Sequence, residues 1–236
     1  MDFTSAAYWA ALGSIVLANI VLSGDNAVVI AMAARSLPAH QQRKAIFWGS
    51  AAAIVMRIIL TLIAVEMLKW PYLKVVGALL LLYIGISLLS EDNGDDGGHK
   101  EIGGMAAAIR TILVADLVMS LDNVLAVAAA AKGNTALLII GLAVSIPLII
   151  FGSTLLLKVM DRFPIIITLG AALLGFLAGE MLLTDPAVVA RFGEPSHAAI
   201  NAAGAVGAAI VVATGLWMQR RARERSQEKS RDKSPA

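Results

Sequence analysis

Four acidic residues and one arginine fall inside stretches of sequence that are otherwise apolar. The acids are Asp25, Asp116, Asp122 and Glu180, and the cation is Arg57. In a lipid bilayer each such charge costs about 2.5 to 3.5 kcal/mol at the centre, and five cost roughly 12 to 18 kcal/mol. That total exceeds the net stability of a typical domain. The charges must therefore neutralise one another, as Arg57 could do with a carboxylate, or meet a mobile charged species.

Three of these acids belong to a polar motif that occurs twice. The first copy contains Asn19, Ser23, Asp25 and Asn26, and the second contains Asp116, Ser120, Asp122 and Asn123. On an unbroken helix the first, second and last residues of each copy form one stripe, because they lie at i, i+4 and i+7. The third residue of each copy lies off that stripe, at about 200° from the serine.

Acid, serine and asparagine reach one point only if the helix opens locally. The sequence therefore predicts a break at Ser23 to Asn26, where Gly24 helps, and another at Ser120 to Asn123, where Leu121 does not. Serine and asparagine side chains compete for backbone partners, which favours such an opening. The alternative is two straight helices whose polar groups bond across an interface.

A site built from these residues would offer carboxylate, amide and hydroxyl oxygens, together with any freed main-chain carbonyls. The chain has no cysteine, and His40, His99 and His197 lie in predicted loops, so soft or imidazole ligands are absent from the apolar stretches. Oxygen-only coordination favours manganese, magnesium or calcium over copper and zinc. Three acids offset the charge of a divalent ion and leave about one negative charge, which Arg57 or a proton could balance.

The composition places these residues in a membrane protein. Hydrophobic residues make up 58% of the 236 residues, charged residues only 15%, and the mean hydropathy is +0.79. A soluble domain carries about 25% charged residues, so this chain cannot cover a water-exposed surface. The stretches are continuously apolar rather than alternating, which favours helices over strands. We predict an all-α polytopic membrane protein with seven transmembrane helices, at residues 8–34, 45–66, 73–90, 104–131, 135–157, 165–184 and 199–218.

The chain also predicts an inverted repeat. A shift of 97 residues lays Ala18 to Arg35 on Ala115 to Lys132, and a shift of 93 lays Met67 to Gly85 on Met160 to Ala178. Because each unit has three spans, the second enters the membrane with opposite polarity, the 3+3 plan of many secondary transporters. The alternative is an old duplication that left a symmetric scaffold without transport.

The predicted divisions are a first repeat at 1–90, an acidic cytoplasmic linker at 91–103, a second repeat at 104–184, a loop and seventh helix at 185–218, and a basic disordered tail at 219–236.

The basic residues predict the orientation. With the C-terminus in the cytoplasm, thirteen Lys and Arg lie inside and four outside, which gives N-out and C-in by the positive-inside rule. Seven of the thirteen lie in the tail, which anchors the topology or binds anionic lipid. The linker does not have the spacing of a calcium-binding loop, so we interpret it as a solvated connection, with metal sensing as the alternative.

The motifs NIVLSGDNAVVIA and DLVMSLDNVLAVA in a seven-span chain resemble the TerC family of integral membrane proteins, in its YjbE-like subgroup within the LysE-like transporter superfamily. The resemblance covers residues 1 to 218. It implies a metal exporter, because members of this family are linked to manganese efflux. It also implies that the motif acids are Asp25, Asp116 and Asp122, although Asn19 stands where the second copy has Asp116.

We therefore expect a multi-pass protein of the plasma (inner) membrane that exports a divalent cation, with Mn²⁺ as substrate, no cofactor and no enzymatic activity. Arg57 is expected to be a counter-charge, and Glu180 either a relay acid or a polar helix end. The partners expected are the metal ion and the lipid bilayer, with no nucleic acid, and the oligomeric state is open. The alternatives are export of a basic amino acid or other organic cation, and an intramembrane aspartyl hydrolase using Asp25 and Asp122.

Overall fold

The computed structural model describes residues 6–22, 24–67, 70–90, 101–130 and 135–232. Within these ranges the regular structure is entirely helical, and no strand occurs. The helices are α1 (Ala6–Leu22), α2 (Gly24–Arg35), α3 (Ala39–Met67), α4 (Leu73–Ser90), α5 (Glu101–Ala130), α6 (Thr135–Arg162), α7 (Ile165–Leu183), α8 (Pro186–Phe192) and α9 (His197–Asp232).

Six of these helices are long and apolar enough to cross a membrane. They are α3, α4, α5, α6, α7 and α9, and each coincides with a span that the sequence predicts. The first predicted span corresponds to α1 and α2, neither of which reaches 18 residues. Large apolar side chains are exposed on α3, α4, α6, α7 and α9, among them Tyr83 on α4 and Phe151 on α6, each 69% exposed. Such surfaces suit lipid rather than water.

The helices of the two halves of the sequence pack across one another. Helix α3 of the first half packs on α5 of the second, α1 and α2 pack on α6, and α4 packs on α7. A matching contact occurs in two of these interfaces. The buried side chain of Ile112 covers Gly49 of α3, and that of Ile15 covers Gly141 of α6. Ile15 and Ile112 are separated by 97 residues, the same shift that aligns the two polar motifs.

Glycines allow the backbones of α7 and α9 to lie in direct contact. A Cβ at Gly175 would collide with the backbone of Gly207, and one at Gly179 would collide with that of Ala203. Small residues four positions apart are the usual means by which membrane helices bring their backbones together. The last long helix is therefore fixed to α7 by backbone contact.

One buried acid ties the two halves together near the start of α4. The carboxylate of Asp185 accepts hydrogen bonds from the backbone N–H groups of Tyr72, Lys74 and Val75, at 3.1 to 3.3 Å, and from that of Ala187 at 2.8 Å. It thus caps α8 and the first turn of α4 together, satisfying donors that a helix leaves unpaired at its N-terminus. Tyr72 has a φ of 65°, a conformation that these bonds help to hold.

Three predicted boundaries need correction. Helix α9 continues to Asp232, so the tail is helical up to that residue and not disordered; Gln, Arg, Glu, Lys and Ala are all good helix formers. Helix α5 begins at Glu101, inside the predicted linker, whose residues 91–100 lie outside the described ranges. The predicted loop before the last helix contains α8, which begins with the signals of an Asp N-cap and a proline at its first position.

Candidate metal site

The arginine predicted at mid-membrane lies in the middle of α3. Arg57 is only 2% exposed, and the hydroxyl of Thr61 donates to its main-chain carbonyl at 2.7 Å. A guanidinium has five donors and stays charged in proteins. It can remain in an apolar interior only if polar groups from neighbouring helices accept those donors.

Two of those acceptors come from α5. The Nη2 group of Arg57 donates to Oδ1 of Asp116 at 2.5 Å, and its Nε donates to the hydroxyl of Ser120 at 3.0 Å. The Ser120 hydroxyl donates in turn to Oδ2 of Asp116 at 3.4 Å. Asp116 and Ser120 can close this cycle because residues at i and i+4 share one face of a helix. The three side chains form a buried polar cluster, here called the Arg57 cluster, which bridges the two halves of the chain.

Helix α5 passes through the second motif without interruption. Its α-helical backbone runs from Glu101 to Ala130, so the predicted break at Ser120 to Asn123 is wrong. The physical reason is that the Ser120 hydroxyl bonds to the side chains of Asp116 and Arg57, and so does not compete with the backbone. No glycine weakens the helix at Leu121. The alternative, a straight helix whose polar groups bond across an interface, holds for this copy.

The first motif lies at the start of α2. Asp25 is in the first turn of this helix, and its carboxylate accepts the backbone N–H of Asn26 at 2.7 Å. A backbone N–H available to a carboxylate is typical of a helix N-terminus, where the first donors lack helical partners. This bond agrees with a helix start at Gly24. The break predicted at Ser23 falls on a residue outside the described ranges and stays a prediction.

Asp25 lies near the Arg57 cluster, close enough to interact electrostatically with both Arg57 and Asp116. It is partly buried, whereas Asp116 is 5% exposed. Helices α2, α3 and α5 thus bring two of the predicted acids, the predicted serine and the predicted counter-charge into one polar region. An attraction between Arg57 and both carboxylates explains how these charges can be held inside an apolar bundle.

Asn26 has a buried side chain without a hydrogen-bond partner. The residue is 2% exposed, and neither its Oδ1 nor its Nδ2 atom bonds to any described group. A buried amide without partners is costly and calls for an explanation. An amide oxygen next to a carboxylate is a suitable ligand for a hard cation. Ser50 on α3 and Ser153 on α6 also have buried hydroxyls without partners in the described structure, and no sequence pattern indicates either residue.

Several predicted site residues are not described. Ser23 and the side chains of Asn19, Asp122 and Asn123 lie outside the residues whose placement the structure gives. Among the described side chains, no three acidic or imidazole groups converge as a metal cluster would require. Glu180 lies on α7, partly buried, and its main-chain carbonyl accepts the Thr184 hydroxyl at 3.0 Å. His40 and His197 lie in the first turns of α3 and α9, both exposed, so they are at helix ends and not in loops.

The sequence of the whole chain decides the family. The model of the integral membrane protein TerC family matches residues 4–223. The chain belongs to the TerC family. This confirms the resemblance drawn from the two polar motifs, and it identifies the six long apolar helices as parts of an integral membrane protein.

Relatives of this TerC-family chain occur in two bacteria. The uncharacterized membrane protein YjbE of Bacillus subtilis (strain 168) is 47% identical over 178 residues, which cover 75% of this chain and 81% of YjbE. YceF of the same organism is 28% identical, over 75% of this chain and 72% of YceF. The UPF0053 inner membrane protein YgdQ of Escherichia coli (strain K12) is 24% identical, over 75% of this chain and 81% of YgdQ. No solved structure matches this chain.

Proposed function

We propose that this TerC-family protein exports a divalent metal cation, with manganese as substrate, across the plasma membrane by alternating access. The observation that carries the proposal is the start of α2. There Asp25 and the buried, unpartnered amide of Asn26 lie within reach of the electrostatic field of the Arg57 cluster, inside an apolar helix bundle. A partly buried carboxylate beside an amide that has no hydrogen-bond partner among the described residues supports a site for a small cation.

The types of ligand support a hard divalent ion. Asp25 and Asn26 from the first motif would share the ion with Asp122 and Asn123 from the second, and Ser23, Ser120 and Asn19 would supply further oxygens. Oxygen ligands suit manganese, magnesium or calcium. Asp116 adds negative charge close to Asp25. The resemblance of the motifs to those of the TerC family favours manganese among these ions.

The packing of the helices supports an inverted repeat. Helices α3 and α5 meet through Ile112 on Gly49, and α1 and α6 meet through Ile15 on Gly141. Gly77 of α4 receives Val118 from the opposite half, and Gly170 of α7 receives Val28 and Met32. Such matched contacts are expected if two three-helix units face each other, with α1 and α2 together forming the first span. The basic residues then favour N-out and C-in.

An organic cation would need a different site. It requires a cavity of about 300 Å³ or more beside the acids. A cavity of about 350 Å³ lies between α1 and α6, but its wall is apolar, formed by Trp9, Leu12, Gly13, Val16, Leu17 and Val144. An aspartyl hydrolase would need two carboxylates sharing a proton. Those carboxylates would be Asp25 and Asp122, and this chemistry gives no role to the serines and asparagines that occur in both motifs, which favours a transporter.

Transport by the purified protein tests the proposal. Proteoliposomes containing wild-type protein, Asp25→Asn or Asp122→Asn are loaded with Mn²⁺, Mg²⁺ or Ca²⁺, and efflux is followed. We expect manganese efflux from the wild type and a loss of at least about tenfold in each variant, because each loses one charged ligand. Asp161→Asn is the matched control, since this acid is exposed at the end of α6. Wild-type liposomes that release no divalent ion, or site variants that match the control, contradict the proposal.

A further inference from the structure

We propose that Asp116 does not bind the transported ion directly but is a positioning residue, whose carboxylate is committed to Arg57. Because the charges of Arg57 and Asp116 offset each other, the negative charge available to the ion is that of Asp25 and Asp122. The inference rests on the proposed function, and it corrects the set of three acidic ligands that the sequence suggests.

The hydrogen bonds of Asp116 support this commitment. One of its oxygens accepts from Arg57 and the other from Ser120, while Ser120 also accepts from Arg57. Coordination of a metal by Asp116 would compete with the two hydrogen bonds that its own oxygens accept. It would also weaken the charge pairing of a guanidinium that is 2% exposed, and breaking a buried ion pair costs far more than the pair contributes when intact.

A difference between the two halves of the sequence points the same way. Ile112 packs on Gly49, and Ile15 packs on Gly141. These two contacts align α1 with α5 by a shift of 97 residues and α3 with α6 by a shift of 92 residues. On this alignment Asp116 corresponds to Asn19, and Arg57 corresponds to Ile149. The α1–α6 interface thus lacks both the arginine and the acid, whereas the serine, aspartate and asparagine of the motif occur in both halves. An acid present only opposite an arginine is explained by charge pairing, and a ligand of a symmetric site is expected in both halves.

The register of α5 is the third observation. Because this helix is unbroken, position 122 lies about 240° round the axis from position 116. Positions 116 and 120 face α3 through the Arg57 cluster. The acid position shared by both motifs therefore lies on another face of α5, away from the face that pairs with Arg57.

The pair would act on the ion through charge. Arg57 interacts electrostatically with Asp25, so its positive charge opposes the binding of a cation unless Asp116 offsets it. Loss of Asp116 alone should weaken ion binding, and loss of Arg57 alone should strengthen it. A contribution that only stabilises the fold would weaken binding in both cases.

Binding of Mn²⁺ to the full-length protein in detergent tests this, with free Mn²⁺ followed by electron paramagnetic resonance. The variants are Asp116→Asn, Arg57→Ile and the double variant Arg57→Ile/Asp116→Asn, which copies the corresponding residues of the α1–α6 interface, Ile149 and Asn19. We expect binding about tenfold weaker in the first and at least about threefold tighter in the second, as expected for one charge added or removed at short range. The double variant should stay within about threefold of wild type.

The double variant decides the result even if a single variant fails to fold, because it removes both charges of the pair together. If Asp116 is a ligand, the double variant binds as weakly as Asp25→Asn, which overturns the inference. Weaker binding in both single variants also overturns it. If the wild type itself binds no Mn²⁺, the proposed function fails, and this outcome is distinct from the others.

Discussion

The α3–α5 interface and the α1–α6 interface each join a helix of the first half of the sequence to a helix of the second, yet the two interfaces differ in what they contain. Both are centred on an isoleucine that covers a glycine. In the α3–α5 interface the next turn holds the buried Arg57 cluster. In the α1–α6 interface the corresponding positions are Asn19 and Ile149, a proline interrupts the hydrogen bonding of α6 at position 147, and an apolar cavity of about 350 Å³ opens beside α1.

This comparison teaches that two interfaces can share a packing contact and still differ in rigidity. A hydrogen-bonded ion pair in an apolar interior fixes the relative position of two helices, because separating them exposes unpaired charge. A proline inside a helix removes one backbone hydrogen bond, and an open surface groove leaves the side chains that line it with fewer packing contacts. We expect the α3–α5 interface to be the more resistant of the two to separation.

The largest expected effect comes from breaking the ion pair. Arg57→Met leaves the Asp116 carboxylate buried without its cation, and we expect the free energy of unfolding in mixed micelles to fall by about 3 to 5 kcal/mol. Denaturation with sodium dodecyl sulfate, followed by circular dichroism, measures it. The matched control is Ile149→Met, which places the same side chain at the corresponding position and should cost less than about 1.5 kcal/mol. Equal losses in the two variants would remove the difference between the interfaces.

An intermediate effect is expected at the start of α4, compared with the start of α7. The first turn of α4 is capped by Asp185, whereas Pro164 precedes α7 without a side-chain cap. Asp185→Ala leaves four backbone donors without their acceptor, so we expect a loss of about 2 to 3 kcal/mol in the same unfolding measurement. Asp185→Asn keeps one carbonyl oxygen and should lose less. A loss in Asp185→Ala no greater than that in Asp161→Asn would show that water replaces the cap.

The smallest effects are expected for alanine substitutions at two glycines, one at each interface. A Cβ at Gly13 would meet nothing within 4 Å, whereas one at Gly49 would lie 2.8 Å from the end of the Ile112 side chain. We expect Gly13→Ala to stabilise the protein by about 0.5 to 1 kcal/mol, because alanine restricts the unfolded chain. Gly49→Ala should destabilise it by about 1 kcal/mol through overpacking. The opposite order in thermal unfolding would show that α1 is packed as tightly as α3.

Much of the helical framework could be predicted from the sequence. The apolar stretch at 73–90 coincides with α4, and the other long helices lie within a few residues of their predicted ends, except α3 and the last helix, which extend further. Apolar runs long enough to cross a bilayer are a strong signal, because the backbone must satisfy its own hydrogen bonds there. The short helix α8 and the helical tail were missed, since neither depends on a long apolar run.

The sequence predicted which residues belong to the candidate site, but not which of them pair with each other. Arg57 was expected to meet one of several carboxylates, and its partner could not be chosen from spacing, because helix periodicity places residues on a face without saying which helix opposes it. The double role of Ser120 and the capping by Asp185 across more than 100 residues of sequence likewise depend on contacts between distant segments.

The amino-acid sequence alone determined that this is a helical membrane protein, that buried charges mark its centre, and that it resembles the TerC family, because composition, hydropathy and motif spacing are local properties of the chain. Only the tertiary structure decided that α5 stays helical through its motif and that Asp116 pairs with Arg57. Whether a serine opens its own helix or bonds to a neighbouring side chain depends on which partner lies within hydrogen-bonding distance. That distance is set by the packing of α3 against α5.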